Sequence, residues 1–280
     1  MFTEKSQLAR KARELFLGAL FGAGLLVGTA QAADDMRLHY SVYLGGLPLG
    51  KVDVELSQSD NSYVIRSAAT TNRNFDWLVT WVASGETQGR VALGEFLPRQ
   101  HHHTSKWRDK ERIVTMQYAP DGTVKVEKTG GRPPAAGELT PIDPASLTDS
   151  IDPMSAILTV MHRLERGEGC QTTLPVFDGH RRYDVTLTDV PARMFRASAY
   201  SVFSGMATGC RVEFTPMGGF PVNQTVDQKN HQAVVWVADP AGDGRIVPVR
   251  LQRTTQFGAM EIHLDSYGAG DIRIVSPNAR

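Results

Sequence analysis

From Met36 onward apolar and polar residues take turns along the chain, and this period of two restricts it to strands with one face to bury. Met36, Leu38, Tyr40, Val42 and Leu44 fall on one side, while Arg37, His39 and Ser41 fall on the other. Gly45-Gly46 and Pro48 turn the chain, and Val52, Val54 and Leu56 resume the pattern against Lys51, Asp53 and Glu55. Asp60-Asn61 turns it again into a segment over 63–71. Further strands are predicted over 77–83, 87–93, 97–106, 111–118 and 123–128, the last two joined as a hairpin by Asp121-Gly122. Many short strands with Gly, Asp and Asn punctuation predict an antiparallel sandwich or barrel.

Residues 129–150 interrupt this rhythm with four prolines and three glycines, which predicts a long irregular connection. A helix follows over about 153–166. Asp152 can cap it, Pro153 suits its first position, and Gly167 ends it after Arg163 and Arg166. Met154, Ile157, Leu158, Met161 and Leu164 form its apolar stripe. One helix cannot form a domain, so it must cover or plug a sheet. Met154, Leu158 and Met161 are therefore the candidate lining of any pocket beneath it.

The segment 172–188 then reads as a hairpin turning at Asp178-Gly179, a pair that tolerates the positive φ of a two-residue turn. That turn predicts Phe177 opposite His180, Val176 opposite Arg181 and Leu174 opposite Tyr183. Leu174, Val176, Tyr183, Val185 and Leu187 share the buried face; His180, Arg182, Asp184 and Thr186 share the polar one. A short strand at 234–237 and a hairpin over 245–267 around Gly258 complete the pattern. In that hairpin Val247, Val249 and Leu251 are expected on one side.

Residues 1–32 read as a cleaved signal peptide. Lys5, Arg10, Lys11 and Arg13 precede a short apolar run, and Ala30-Gln31-Ala32 supplies the small residues of a cleavage site. The run is shorter than the roughly 20 residues a membrane span needs. The product expected is a soluble periplasmic protein, 33–280, in a single domain and not membrane-spanning. The leader holds four of the 30 basic and two of the 30 acidic residues, leaving 26 and 28, a net charge of −2. That balance speaks against nucleic acid as a partner. Two cysteines in an exported chain, Cys170 and Cys210, are most simply one disulfide.

Chemistry is sparsely signalled. In His101-His102-His103 a strand would place His101 and His103 on one face and His102 on the other, so at most two reach one ion. No nucleophile elbow, zinc-protease helix or Walker loop occurs, and no metal or cofactor is expected. Asn223-Gln224-Thr225 is formally a glycosylation sequon. Arg181, Arg182, Tyr183 and Asp184 are the candidate ligand or partner contacts. Arg181 falls on the face assigned to the core, where a guanidinium needs a carboxylate, carbonyls or a bound anion.

A helix opening Asp152-Pro153 and ending Arg166-Gly167, then Cys170, then Val176-Phe177-Asp178-Gly179 and Arg181-Arg182-Tyr183-Asp184-Val185, resembles a bacterial exported family, domain of unknown function 3108. Tyr40-Ser41-Val42-Tyr43 with Gly45 to Gly50, Cys210-Arg211-Val212 and Val247-Pro248-Val249 extend the resemblance over most of the mature chain. His180 stands where the family often has another arginine. The resemblance implies a periplasmic, mainly β protein: an antiparallel curved sheet forming an incomplete or spiralled barrel with one covering helix. It implies a distant likeness to envelope-integrity proteins and half-barrel lipoprotein carriers, and no catalytic residue is carried over. The function expected is non-enzymatic: binding a lipid-like or envelope-polymer ligand, or an envelope protein partner. The alternative is a hydrolase or lyase acting on an envelope glycan or lipid.

Overall fold

In the computed structural model, residues 34–75, 80–222, 232–255 and 257–277 are described. The leader at 1–32, the start of the strand expected at 77–83 and the Asn223-Gln224-Thr225 sequon lie outside them. The alternating segments form one antiparallel sheet of fourteen strands. These are β1 (Asp34–Leu44), β2 (Leu47–Gln58), β3 (Ser62–Thr71), β4 (Trp81–Ala92), β5 (Glu95–Trp107), β6 (Lys110–Tyr118) and β7 (Val124–Gly130), then β8 (Thr172–Phe177), β9 (Arg182–Phe195), β10 (Gly205–Gly218), β11 (Ala233–Ala238), β12 (Val247–Thr255), β13 (Gly258–Ala269) and β14 (Ile272–Val275). The order runs β7-β6-β5-β4-β3-β2-β1-β13-β12-β11-β10-β9-β8, with β14 beside β13. β7 and β8 stand at the two ends and do not pair, so the sheet curls without closing into a barrel. Antiparallel neighbours place the β1–β2, β5–β6, β8–β9 and β12–β13 turns together at one end, the upper rim.

The strands expected at 77–83 and 87–93 are one strand, β4. Gly85 and Gly89 do not break it; they let other groups approach its concave face. A Cβ at Gly85 would lie 3.2 Å from Met154 Sδ, and one at Gly89 would lie 2.6 Å from the Tyr63 ring. The only α-helix among the described residues, α1 (Pro153–Glu165), lies in that concavity. Asp152 caps it, with Pro153 at its start. Met154, Leu158 and Met161 pack with Met36, Leu38, Leu56, Tyr63, Ile65 and Phe96 in the main core.

The central hairpin is two residues out of the predicted register. Phe177 pairs with Arg182, Val176 with Tyr183 and Leu174 with Val185. Asp178 closes a wider turn: its carboxylate accepts from the His180 and Arg181 backbone N–H groups and from Arg181 Nε. A slip of two preserves which side chains share a face, so the apolar face survives intact. It does move Arg181 off the core and into the exposed turn, paired with Asp178. The buried guanidinium is Arg182, which donates to Ser146 O at 2.9 Å and Asp184 Oδ1 at 2.6 Å. Beside Arg182, Phe177 packs on Val114 and Met116 of β6. The tip of the β8–β9 hairpin thus tucks inside β6, which makes the sheet a spiral.

Cys170 and Cys210 are joined, their Cα atoms 5.6 Å apart, and the bond ties the exit of α1 to β10. Leu187, Val212 and Ala233 pack around it. Removing a bridge across 40 residues by Cys170→Ser should lower the unfolding free energy by about 2–5 kcal/mol, read from urea denaturation.

Candidate functional site: an apolar cleft beside the helix

The two flanks of α1 meet different environments. One packs against β1–β5, as above, with a hollow of about 310 Å³ left toward the C-terminal end of the helix. The other, carrying Ala156, Ile157 and Val160, faces the concave side of β8–β12 across a cleft of about 420 Å³. Leu174 and Val176 of β8, Tyr183, Val185 and Leu187 of β9 and Val212 and Phe214 of β10 form one part of its wall. Val235 and Val237 of β11 and Pro248 and Leu251 of β12 form the rest. Val249, expected to share a face with Leu251, does not line it. A bulge sets Val237 against Pro248 and Trp236 against Arg250, which leaves Val249 between them.

The cleft is dry in character yet open. Among the described residues lining it, Tyr183 alone carries a side-chain hydroxyl, and none carries a charge. Burial raises the Tyr183 pKa, so the phenol stays neutral. Ile157 is 50% exposed and Phe214 38%, which places the opening along the helix and at the upper rim. The volume falls in the roughly 300–1,000 Å³ range of small-molecule sites.

A buried polar joint fixes the helix beside this cleft. Asp152 Oδ1 accepts from Met154 N at 2.9 Å, Ser155 N at 3.2 Å and Thr87 Oγ1 at 2.7 Å. Asp152 Oδ2 accepts from Ser155 Oγ, which lies 2.7 Å from Tyr63 OH. His101 Nδ1 is 2.7 Å from Thr87 Oγ1 and 3.3 Å from Asp152 Oδ1. Burial acts to raise the Asp152 pKa, but His101, Ser155 and Thr87 outweigh it and hold the pKa below the ordinary carboxylate value. Asp152, Thr87 and Ser155 have no exposed surface, so this cluster is a structural pin out of reach of a substrate.

The structure distributes the residues singled out from sequence over several places. Tyr183 lines the cleft, and Met161 reaches it from the helix. Met154 and Leu158 belong to the core on the opposite flank, where Leu158 and Met161 also line a second hollow of about 310 Å³. Arg182 and Asp184 pair on the far face of the hairpin, away from the cleft. Of the histidines, His101 belongs to the Asp152 joint and stacks near His103, while His102 faces outward, 3.0 Å from Thr115 Oγ1. On the cleft flank of α1, Ile157 was legible only as part of the apolar stripe, and Val160 lay outside that stripe. Which flank stays unfilled depends on strands distant in sequence.

The family described as “Protein of unknown function (DUF3108)” matches residues 39–265. The chain belongs to this family. The match spans both walls of the cleft, the helix and the disulfide of this DUF3108 chain. Among solved structures it is similar to the beta-barrel-like protein of domain of unknown function DUF1849 from Brucella abortus. The two share 12% identity over 86% of this chain and 99% of that one, with a TM-score of 0.52, a likeness of fold alone. No curated protein matches the DUF3108 chain.

Protonation of the partly buried His103 and the buried His263 works against the fold. Burial holds His103 and His263 below their ordinary value of 6.5, aided by His101 at the first and Arg250 at the second. The unfolded chain therefore binds protons first as pH falls. The histidine contribution is intact above pH 6.5 and is lost as pH drops from there through the folded-state values. The urea midpoint should fall between pH 7.5 and 5.5, and His103→Gln with His263→Gln should flatten that slope.

Proposed function

We propose that this protein is a non-enzymatic component of the bacterial cell envelope that binds a lipid-like ligand by its acyl part in the cleft beside α1. The single observation that carries this reading is an open, uncharged cleft of about 420 Å³ inside a folded chain. A hollow so apolar gains from excluding water, at roughly 25 cal/mol per Å² of apolar surface covered. Its hydroxyl at Tyr183 suits one polar group at the end of a hydrocarbon chain. The basic and apolar leader and the Cys170–Cys210 bond support an exported, periplasmic location.

A hydrolase would call for carboxylates facing one another in an accessible polar cleft. Glu165 and Asp243 do line a second hollow, of about 310 Å³, at the other end of α1. Both are occupied in holding the fold there. Glu165 Oε1 accepts from Ile246 N at 3.2 Å, and Asp243 Oδ2 accepts from Tyr267 OH at 2.6 Å and Arg245 at 2.7 Å. That engagement favours the binding reading.

Leu158 is 3% exposed in the core, so a charge there would unfold the protein before it reported on ligand. The informative position is Ile157, half in solvent and lining the cleft. Wild-type protein should bind a fluorescent fatty-acyl probe. Ile157→Arg should weaken binding at least tenfold, about 1.4 kcal/mol, with its circular dichroism and urea midpoint unchanged. Wild-type protein that leaves the probe free in solution would overturn the reading.

A further inference from the structure

The upper rim carries a second pattern that core packing does not require. Large apolar side chains stand in water on several separate turns there. Leu47 is 60% exposed beside the β1–β2 turn, Phe257 75% in the β12–β13 turn and Trp107 50% at the end of β5. Leu47 and Phe257 belong to adjoining turns, since Gly45 N donates to Ala259 O at 2.8 Å. Met217 and Val222, both at least half exposed, follow at the end of β10.

Basic residues are interleaved with them. Lys106, Arg108, Lys110 and Arg112 bracket the β5–β6 turn against Asp109 and Glu111, all exposed. Lys128 lies near the end of β7, and Arg181 sits in the β8–β9 turn with Asp178. The opposite rim also exposes apolar side chains, at Leu93, Met194 and Met206. There, however, Asp60, Glu95, Asp121, Glu168 and Asp271 offset the exposed Arg90, Arg166, Arg193, Arg196 and Arg273. The upper rim sets Lys106, Arg108, Lys110, Arg112, Lys128 and Arg181 against Asp109, Glu111 and Asp178 around its apolar tips, and the cleft reaches it. Tyr183 and Phe214 end the cleft there, Phe220 lies 6.5 Å from Tyr183, and the Arg181 guanidinium stands 5.8 Å over the Phe220 ring.

We propose that the upper rim is a docking surface for an anionic lipid bilayer. Leu47, Phe257 and Trp107 enter the headgroup layer while the surrounding lysines and arginines face lipid phosphates. No helix among the described residues is long and apolar enough to cross a membrane, and docking of this kind needs none. A second copy of the chain is the poorer occupant. Its own upper rim would bring like charges together, and isolated turn tips offer no continuous apolar face. Docking sets the mouth of the cleft against the source of an acyl ligand; that consequence rests on the ligand reading, whereas the docking surface does not.

The test is co-sedimentation of the exported protein with vesicles of phosphatidylglycerol or of phosphatidylcholine. Binding to phosphatidylglycerol alone is expected, and it should be lost at about 0.5 M salt, where charges are screened within a few ångströms. Leu47→Ser with Phe257→Ser, both on exposed turns, should weaken it at least tenfold, as should Lys106→Glu with Arg108→Glu. Failure of the wild type to bind phosphatidylglycerol at low salt overturns the proposal, and so do variants that bind like wild type. Self-association of the wild type that these same variants abolish would also overturn it, assigning the rim to a second copy instead. Acyl-probe titration in vesicle-free solution reads the cleft alone, and Ile157→Arg should retain vesicle binding, so either reading can fail without the other.

Discussion

The Asp152 carboxylate is the joint on which the rest of the molecule depends. A buried charge is tolerated only when it is fully hydrogen-bonded, and here four donors converge on it. Two come from the first turn of α1, one from Ser155 and one from β4. The same group that caps the helix therefore also fastens it to the sheet. A capping residue alone contributes about 0.5–2 kcal/mol. In this position it also decides where the helix lies. Thr87 and His101 set its N-terminus against β4 and β5, and the small side of β4 at Gly85 lets Met154 settle there.

From that placement follows the asymmetry of the interior. A single helix of thirteen residues cannot fill the trough of a fourteen-stranded sheet. Held against β1–β5, it completes a packed core on that side and leaves the β8–β12 side uncovered. The disulfide ties this second wall to the helix exit, holding Cys210 of β10 beside Cys170. The free end of the sheet is managed as well. The β8–β9 tip tucks within β6 through Phe177, and Ile151 bridges β8 beside Val176. An open edge is in this way covered without closing a barrel.

Several details could not be read locally. The Asp178-Gly179 pair indicates a turn, but Asp178 has enough acceptors to organise a wider loop, and tertiary contact selected that loop. The slip of two residues left every apolar side chain on its face. It exchanged the roles of two adjacent arginines, placing Arg181 in solvent and Arg182 beneath the 140s segment. Leu158 and Ile157 are neighbours on one stripe, yet one is core and the other cleft. That distinction depends on which strands face each flank. His101 had the appearance of a polar strand residue because its partner Thr87 lies 14 positions from it, and Asp152 lies 65 positions from Thr87.

By itself the sequence determined most of the strands, the capped helix at 153–166, most of the apolar faces and the pairing of the only two cysteines. Each of these follows from short-range rules: alternation, turn chemistry, capping and composition. Tertiary structure alone decided strand order, the spiral overlap of the two ends, the flank on which α1 is pinned and hence the existence of the cleft. Those depend on contacts between segments far apart in the sequence, such as β1 with β13 or β6 with the central hairpin. An alternating pattern states that a face must be buried; it does not state against what, and an unfilled cleft is the part of that face for which the chain supplies no partner.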